Sequence, residues 1–270
     1  MSSTTTVQLA RTGRVQSFSG KEVRLRRIFG SQSGNTFILA MDHAVASGLP
    51  AGLRDADAVV GMAASGGADA VLMRPGLISS LSADSSGQLG VILKLTGRLS
   101  RGLDHVVFNT VEHAVACGAD AVCAEFKLGS PGDLENVRLV ARVAEAARKF
   151  NMPLLVTTYV VDETLDKFGP SAHAHACRIA EEIGADFIKT SLPDDREVVE
   201  QCVGSVSIPV ILAGGPSRDV QDLAQVIRRG TTWGLAGAAI GRAAWSAPNP
   251  AGAVHTLAEA VHGKPLRPSD

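Results

Sequence analysis

Gly184-Ala185-Asp186-Phe187-Ile188-Lys189-Thr190-Ser191 reads as the end of a helix, a tight turn and a short buried strand with a lysine at its C-terminal end. The same hinge recurs at Gly67-Ala68-Asp69 and Gly118-Ala119-Asp120. In each, a helix stops at glycine and the chain turns directly into a strand. Outward from these hinges, eight apolar runs recur, at 36–42, 70–74, 91–96, 121–128, 154–159, 187–191, 210–214 and 234–241. Most are nearly all apolar, as parallel strands buried on both faces should be. Amphipathic stretches predict helices at 55–65, 111–117, 134–150, 171–183, 196–203, 218–229 and 250–262. Repeated strand-then-helix units imply a parallel sheet with right-handed crossovers. Eight units in about 230 residues predict an α/β fold, a single-domain (β/α)8 TIM barrel, with an open doubly wound sheet as the alternative. The boundaries read as an N-terminal extension over 1–30 and a barrel domain over 31–265, with no Pro- or Ser-rich linker between them.

The chain has 270 residues, a net charge of -1 and 45% hydrophobic residues, enough to bury a substantial core. Near-neutral charge argues against a nucleic-acid partner. No apolar run approaches the ~20 residues of a membrane span. The start, Met1-Ser2-Ser3-Thr4-Thr5-Thr6, lacks the apolar core of a secretory signal, so a cytoplasmic protein is expected. Cys117, Cys123, Cys177 and Cys202 lack metal-type spacing and read as free thiols of a reducing compartment. His173 and His175, two apart near a helix start, do not share a face. No HExxH occurs, and no GxGxxG follows the first strand. The expectation is no metal and no cofactor.

In a barrel, chemistry comes from side chains at the C-terminal ends of different strands. Those ends carry Asp42 and His43, Arg74, Lys94, Glu125 and Lys127, Tyr159, Lys189, Gly214-Gly215-Pro216-Ser217, and Gly241-Arg242. Lys189 is a candidate nucleophile toward carbonyls, because burial lowers a lysine pKa and frees the amine. It also reads as a lysine snorkelling into solvent. Lys94 and Lys127 are rivals on the same logic. Tyr159, the one tyrosine of the chain, either moves protons or packs with a satisfied hydroxyl. Asp42 either assists a lysine and substrate hydroxyls or caps its turn. His43 is a base or a structural residue. Gly214, Gly215, Ser217, Gly241 and Arg242 form a predicted phosphate cradle. Glycines admit backbone N–H groups to an anion, a helix expected to begin near Ser217-Arg218-Asp219 adds its positive end, and Arg242 adds a bidentate charge.

These residues resemble the archaeal-type (DhnA-type) class I fructose-bisphosphate aldolases and their relatives. The resemblance runs from about Gly20 to about His262. It is carried by Gly20-Lys21-Glu22-Val23-Arg24-Leu25-Arg26-Arg27-Ile28-Phe29, Met41-Asp42-His43, Met152-Pro153-Leu154-Leu155, Ala185-Asp186-Phe187-Ile188-Lys189-Thr190-Ser191, Ala213-Gly214-Gly215-Pro216 and Gly241-Arg242. The basic segment at 23–29 favours the heptulosonate-synthase side of the family. The resemblance implies a homo-oligomeric barrel in which Lys189 forms an imine, Tyr159 is the acid/base and Asp42 assists at the carbinolamine. Gly215, Ser217, Gly241 and Arg242 match phosphate-contacting positions. The implied partners are a phosphorylated ketose or triose such as dihydroxyacetone phosphate, and an aldehyde such as aspartate semialdehyde. Fructose-1,6-bisphosphate cleavage, acyl transfer from a phosphorylated dione to coenzyme A, and a non-catalytic sugar-phosphate-binding barrel are the alternatives. The chain departs from the family at Val160-Val161 after Tyr159, at Ala44, at Arg74-Pro75-Gly76 and at Lys94. With His43 and Lys127, Arg74 and Lys94 are possible substrate-binding residues, and the departures bear on the acceptor aldehyde while leaving imine chemistry intact.

Overall fold

The described residues form ten strands: β1 (Thr36–Ala40), β2 (Ala70–Met73), β3 (Gly90–Lys94), β4 (Thr96–Gly97), β5 (Val106–Val107), β6 (Ala121–Leu128), β7 (Leu154–Val160), β8 (Phe187–Thr190), β9 (Val210–Ala213) and β10 (Gly237–Ile240). Eight of them close into a parallel barrel in the order β1-β10-β9-β8-β7-β6-β3-β2, while β4 and β5 form a separate antiparallel pair. The computed structural model describes residues 19–30, 32–82, 89–99, 106–130, 132–161, 172–215 and 219–263. Among these, no helix is long and apolar enough to cross a membrane.

The period-two alternation of each strand builds two cores. One phase, including Phe37, Leu39, Val71, Met73, Leu93, Val122, Phe126, Leu154, Val156 and Ile188, packs outward against the helices. The other, including Ile38, Leu72, Ile92, Cys123, Leu155, Phe187 and Ile211, fills the barrel interior. The long amphipathic helices Asp133–Lys149, Val220–Thr232 and Pro250–His262 each lay an apolar stripe on the outer phase.

The N-terminal helix α1 (Gly20–Ile28) begins with a capping box, Ser19 and Glu22 bonding reciprocally. Its last residue, Ile28, and the following Phe29 join the interior cluster. Phe29 meets Phe187 edge to face, with ring centroids 5.3 Å apart. α1 is thus tied into the interior core that the barrel strands build.

The three Gly-Ala-Asp hinges explain how it is held. Gly67, Gly118 and Gly184 adopt positive φ (+88°, +75° and +108°), which glycine tolerates without a Cβ penalty. The aspartate that follows then accepts the backbone N–H at or near the start of the neighbouring strand. Asp69 takes Phe37 N at 2.7 Å, Asp120 takes Val91 N at 3.0 Å, and Asp186 takes Leu154 N at 2.9 Å. Each carboxylate also meets a basic group, the His262 ring at 3.1 Å and the cations Arg27 and Lys21, each at 2.9 Å. Both cations belong to α1, so the hinges anchor the helix as well as the strands.

Boundaries that differ from expectation include those at 91–96, 234–241 and 218–229. The run at 91–96 leaves the barrel after Lys94, because Arg74 Nη1 draws the carbonyls of Lys94 (3.2 Å) and Thr96 (2.8 Å) toward β2 and Thr96-Gly97 pairs with β5 instead. The run at 234–241 becomes strand only at Gly237. There φ is +132°, and a Cβ would lie 2.0 Å from the Thr36 carbonyl oxygen. The helix expected at 218–229 runs over Val220–Thr232.

Phe29→Ala removes an interior ring, and the expected loss is about 3 kcal/mol in urea unfolding. A loss under about 1 kcal/mol, the scale of a surface change, would contradict this interior role.

Candidate active site

Above its apolar floor, the inward phase of the strands turns polar. Lys94 ends β3, Glu125 and Lys127 lie in β6, Thr157 and Tyr159 in β7, and Lys189 in β8. The register sets Lys127 beside Tyr159 and Thr157 beside Lys189.

Two lysines are buried here, and their surroundings differ. Lys94 Nζ lies 2.5 Å from Glu125 Oε2 and 3.9 Å from Asp42 Oδ2. Burial by itself would lower its pKa, but Cys123, Glu125, Asp42 and Tyr159 together outweigh burial and hold it above the ordinary lysine value. Lys189, 8% exposed, has no carboxylate within ion-pairing distance among the described residues. Burial pushes its pKa below the ordinary value. The more distant charge of Asp42 opposes that shift, and the positive charge of Lys94 reinforces it. One lysine is therefore held as a cation, and the other is shifted toward the free amine.

Burial would raise the pKa of Asp42, but Lys94, Lys189 and His43 more than offset it and keep the carboxylate ionised. His43 is pushed below its ordinary value by burial, against the pull of Asp42. Its ring stacks edge to face on Trp245, with centroids 5.4 Å apart, and the Trp245 indole donates to the Ala40 carbonyl at 3.0 Å. Its Nδ1 is buried without a hydrogen bond, 3.8 Å from Asp42 Oδ1. Burial pushes the Tyr159 phenol above its ordinary value, so it stays protonated. The Lys127 ammonium lies 5.8 Å from the centre of the Tyr159 ring. The Cys123 thiol, 3.5 Å from Thr157 Oγ1, is also pushed up by burial and remains a thiol.

Two cavities open on this cluster, of about 310 Å³ and about 470 Å³, and both are lined by His43, Tyr159, Lys189 and Arg242. The smaller is otherwise built from Ser191, Gly214, Gly215, Gly241 and apolar residues of β1, β9 and β10. Gly215 has φ +64°, and Arg242 Nη2 donates to its carbonyl at 3.1 Å. At Gly241 a Cβ would stand 2.4 Å from His43 Cε1, so only glycine leaves that wall open. The larger cavity is lined by Asp42, Arg74, Lys94, Glu125 and Lys127.

The three glycines and the arginine of the predicted cradle thus share one cavity; Ser217 lies outside the described residues. One part of the expectation is corrected. The helix after β9 is capped by Asp219, whose carboxylate accepts Gln221 N at 2.8 Å and Asp222 N at 3.4 Å. Two of its N-terminal amides are thereby taken by the cap within the chain. Glu125 was legible as a strand-end polar residue, but its role as the partner of Lys94 was not. Thr157, Ser191 and Trp245 gave no sequence signal, although the first two fall on the inward phase of their strands. Among the described residues no group of three or more His, Cys, Asp or Glu is placed to hold a metal ion.

A closed (β/α)8 barrel with a carboxylate-free buried lysine at its C-terminal mouth defines the general class. Residues 36–247 match the DeoC/LacD family aldolases, and the chain belongs to that family. It is an enzyme of the Schiff-base lyase class. The 2-amino-3,7-dideoxy-D-threo-hept-6-ulosonate synthase of Halobacterium salinarum is 32% identical to it over 247 residues, covering 90% of this chain and 92% of the relative. The 2-amino-4,5-dihydroxy-6-oxo-7-(phosphonooxy)heptanoate synthase of Streptomyces griseus is 27% identical over 255 residues, covering 92% of each. A solved archaeal fructose-1,6-bisphosphate aldolase, with its catalytic lysine covalently bound to the carbinolamine intermediate, superposes with a TM-score of 0.78 at 29% identity. The match covers 91% of this chain and all (100%) of that one.

An uncompensated buried cation opposes folding. Because the Lys189 pKa is lower folded than unfolded, that opposition is full at low pH, shrinks as pH rises past the folded value and is gone above the unfolded one. Lys189→Met should therefore raise Tm at neutral pH, with a gain that narrows toward alkaline pH. A Tm that falls, or a gain that grows with pH, would contradict this charge assignment.

Proposed function

We propose that this chain forms a carbon–carbon bond between dihydroxyacetone phosphate and an aldehyde such as aspartate semialdehyde, through an imine on Lys189, in a biosynthetic pathway. The observation that carries the reading is the placement of Lys189. Among the described residues it is the buried lysine without a carboxylate partner, and it lines both cavities. A nucleophilic amine must be partly neutral, and Lys94 is held in the opposite state.

The proposed course follows from the charges. The donor phosphate lies against Gly214, Gly215, Gly241 and Arg242. The free amine of Lys189 attacks the donor ketone and forms a carbinolamine, which loses water to give a protonated imine. Ionised Asp42 stabilises the cationic nitrogen and assists at this stage. Loss of a proton from the adjacent carbon gives an enamine, the imine nitrogen having taken the electron pair. The enamine carbon attacks the aldehyde, and the neutral Tyr159 phenol supplies the proton to the new alkoxide. Water then releases the product and restores the amine. Binding the remote phosphate contributes the positioning of the reacting end.

Cleavage of fructose 1,6-bisphosphate would run the same steps in reverse, and the match to the solved archaeal aldolase supports it as the second reading. Both readings share the donor half-reaction. In deuterium oxide, the wild type should exchange a carbon-bound proton of dihydroxyacetone phosphate without any aldehyde, followed by proton NMR. Lys189→Ala should abolish the exchange, and Tyr159→Phe should slow aldol turnover by roughly 10²–10⁴-fold. Full exchange by Lys189→Ala would overturn the assignment.

A further inference from the structure

Enamine formation requires a base for the proton on the hydroxymethyl carbon of the bound triose. That carbon is bonded to the imine carbon, on the side away from the phosphate, so its base must border both cavities. Among the described residues, four titratable or charged side chains line both: His43, Tyr159, Lys189 and Arg242. Lys189 is itself the imine. Arg242 is a fixed cation with no lone pair to offer. Burial holds Tyr159 as a phenol, which gives a proton rather than takes one. His43 is the group that remains.

Its ring is set for that part. The edge-to-face contact with Trp245 fixes one side, and Trp245 is itself held by its indole bond to the Ala40 carbonyl. Nδ1 is buried without a hydrogen bond, 3.8 Å from Asp42 Oδ1. The ionised carboxylate favours the tautomer with the proton on Nδ1 and the lone pair on Nε2. Gly241 leaves the other edge clear, since a Cβ there would stand 2.4 Å from Cε1 and 3.1 Å from Nε2. Burial favours the neutral ring against the pull of Asp42, and the positive charges of Lys189, Arg242 and Lys94 add to it. In the closed order, β1, which His43 follows, stands opposite β7, which carries Tyr159. Two proton-transfer groups therefore stand on opposite walls, with Lys189 lining the same space.

We propose that His43 is the catalytic base that removes the proton from the hydroxymethyl carbon of the imine. This rests on the aldolase reading and supplies the base for its enamine step. Nε2 takes the proton, the C–H electron pair becomes the enamine double bond, and the imine π pair returns to nitrogen. One positive charge thus passes from the iminium to the imidazolium, and the number of charges in the site does not change. Asp42 stands beside the imidazolium so formed. After the carbon–carbon bond forms, the imidazolium returns its proton through solvent to the phenolate that Tyr159 becomes, and both groups end as they began.

The test reads the two halves of the donor reaction separately. Borohydride trapping of dihydroxyacetone phosphate on Lys189 reports the imine. Deuterium exchange at the hydroxymethyl carbon, followed by proton NMR, reports the base. His43→Gln and His43→Ala should trap the imine to within about threefold of the wild type, yet exchange roughly 10²–10⁴-fold more slowly. Imidazole added to His43→Ala should restore part of the exchange and leave trapping unchanged. Undiminished exchange in His43→Gln would overturn the assignment, as would exchange lost in Tyr159→Phe while kept in His43→Gln. Loss of trapping together with exchange in both His43 variants would make the ring a structural support and overturn it as well. A wild type that traps no imine would bring down the aldolase reading, and the assignment with it.

Discussion

The site depends on one ion pair. Glu125 and Asp42 bring their charges to Lys94, and in doing so leave Lys189 as the lysine that burial can act on. Both amines sit in the same barrel, on the inward phase of β3 and β8. Had the carboxylates paired with Lys189, its proton would be held and the nucleophile lost. Coulomb attraction over a few ångströms in a partly desolvated site outweighs the burial cost for one lysine and not for the other. The same field keeps Asp42 ionised and leaves Tyr159 protonated, so that an anion, an amine shifted toward its neutral form and a proton donor stand together at one barrel mouth.

That arrangement needs a rigid frame. The hinge aspartates supply part of it, each joining a strand start to a basic side chain of another segment. Ile28 and Phe29 continue the interior core below the lysines, which keeps the low-dielectric floor on which the pKa separation rests. The glycines on the other wall act by absence. At Gly241 a side chain would strike His43, and a closed wall there would fill the smaller cavity.

Much of this was legible in the sequence, for a physical reason. Buried parallel strands are short apolar runs, so any charged residue on them stands out, and Asp42, Lys94, Glu125, Lys127, Tyr159 and Lys189 were visible as strand-end polar groups. The hinges were visible because only glycine suits their positive φ. What could not be read was pairing. Lys94 and Lys189 occupy equivalent runs, Val91-Ile92-Leu93-Lys94 and Asp186-Phe187-Ile188-Lys189, and only the register that brings Glu125 to Lys94 separates them. The exit of Thr96-Gly97 from the barrel depends on the Arg74 guanidinium, a long-range contact that local pattern does not encode. The Asp219 cap shows the opposite case, in which a local signal was present and was read as an anion site.

Which lysine reacts decides the chemistry of this site most directly. Borohydride reduction of the protein in the presence of dihydroxyacetone phosphate, followed by intact mass and peptide mapping, answers this in one experiment. A single stable adduct on Lys189 is the predicted result; an adduct on Lys94 would show that the Glu125 pairing does not hold that amine in its charged form, and would contradict the account.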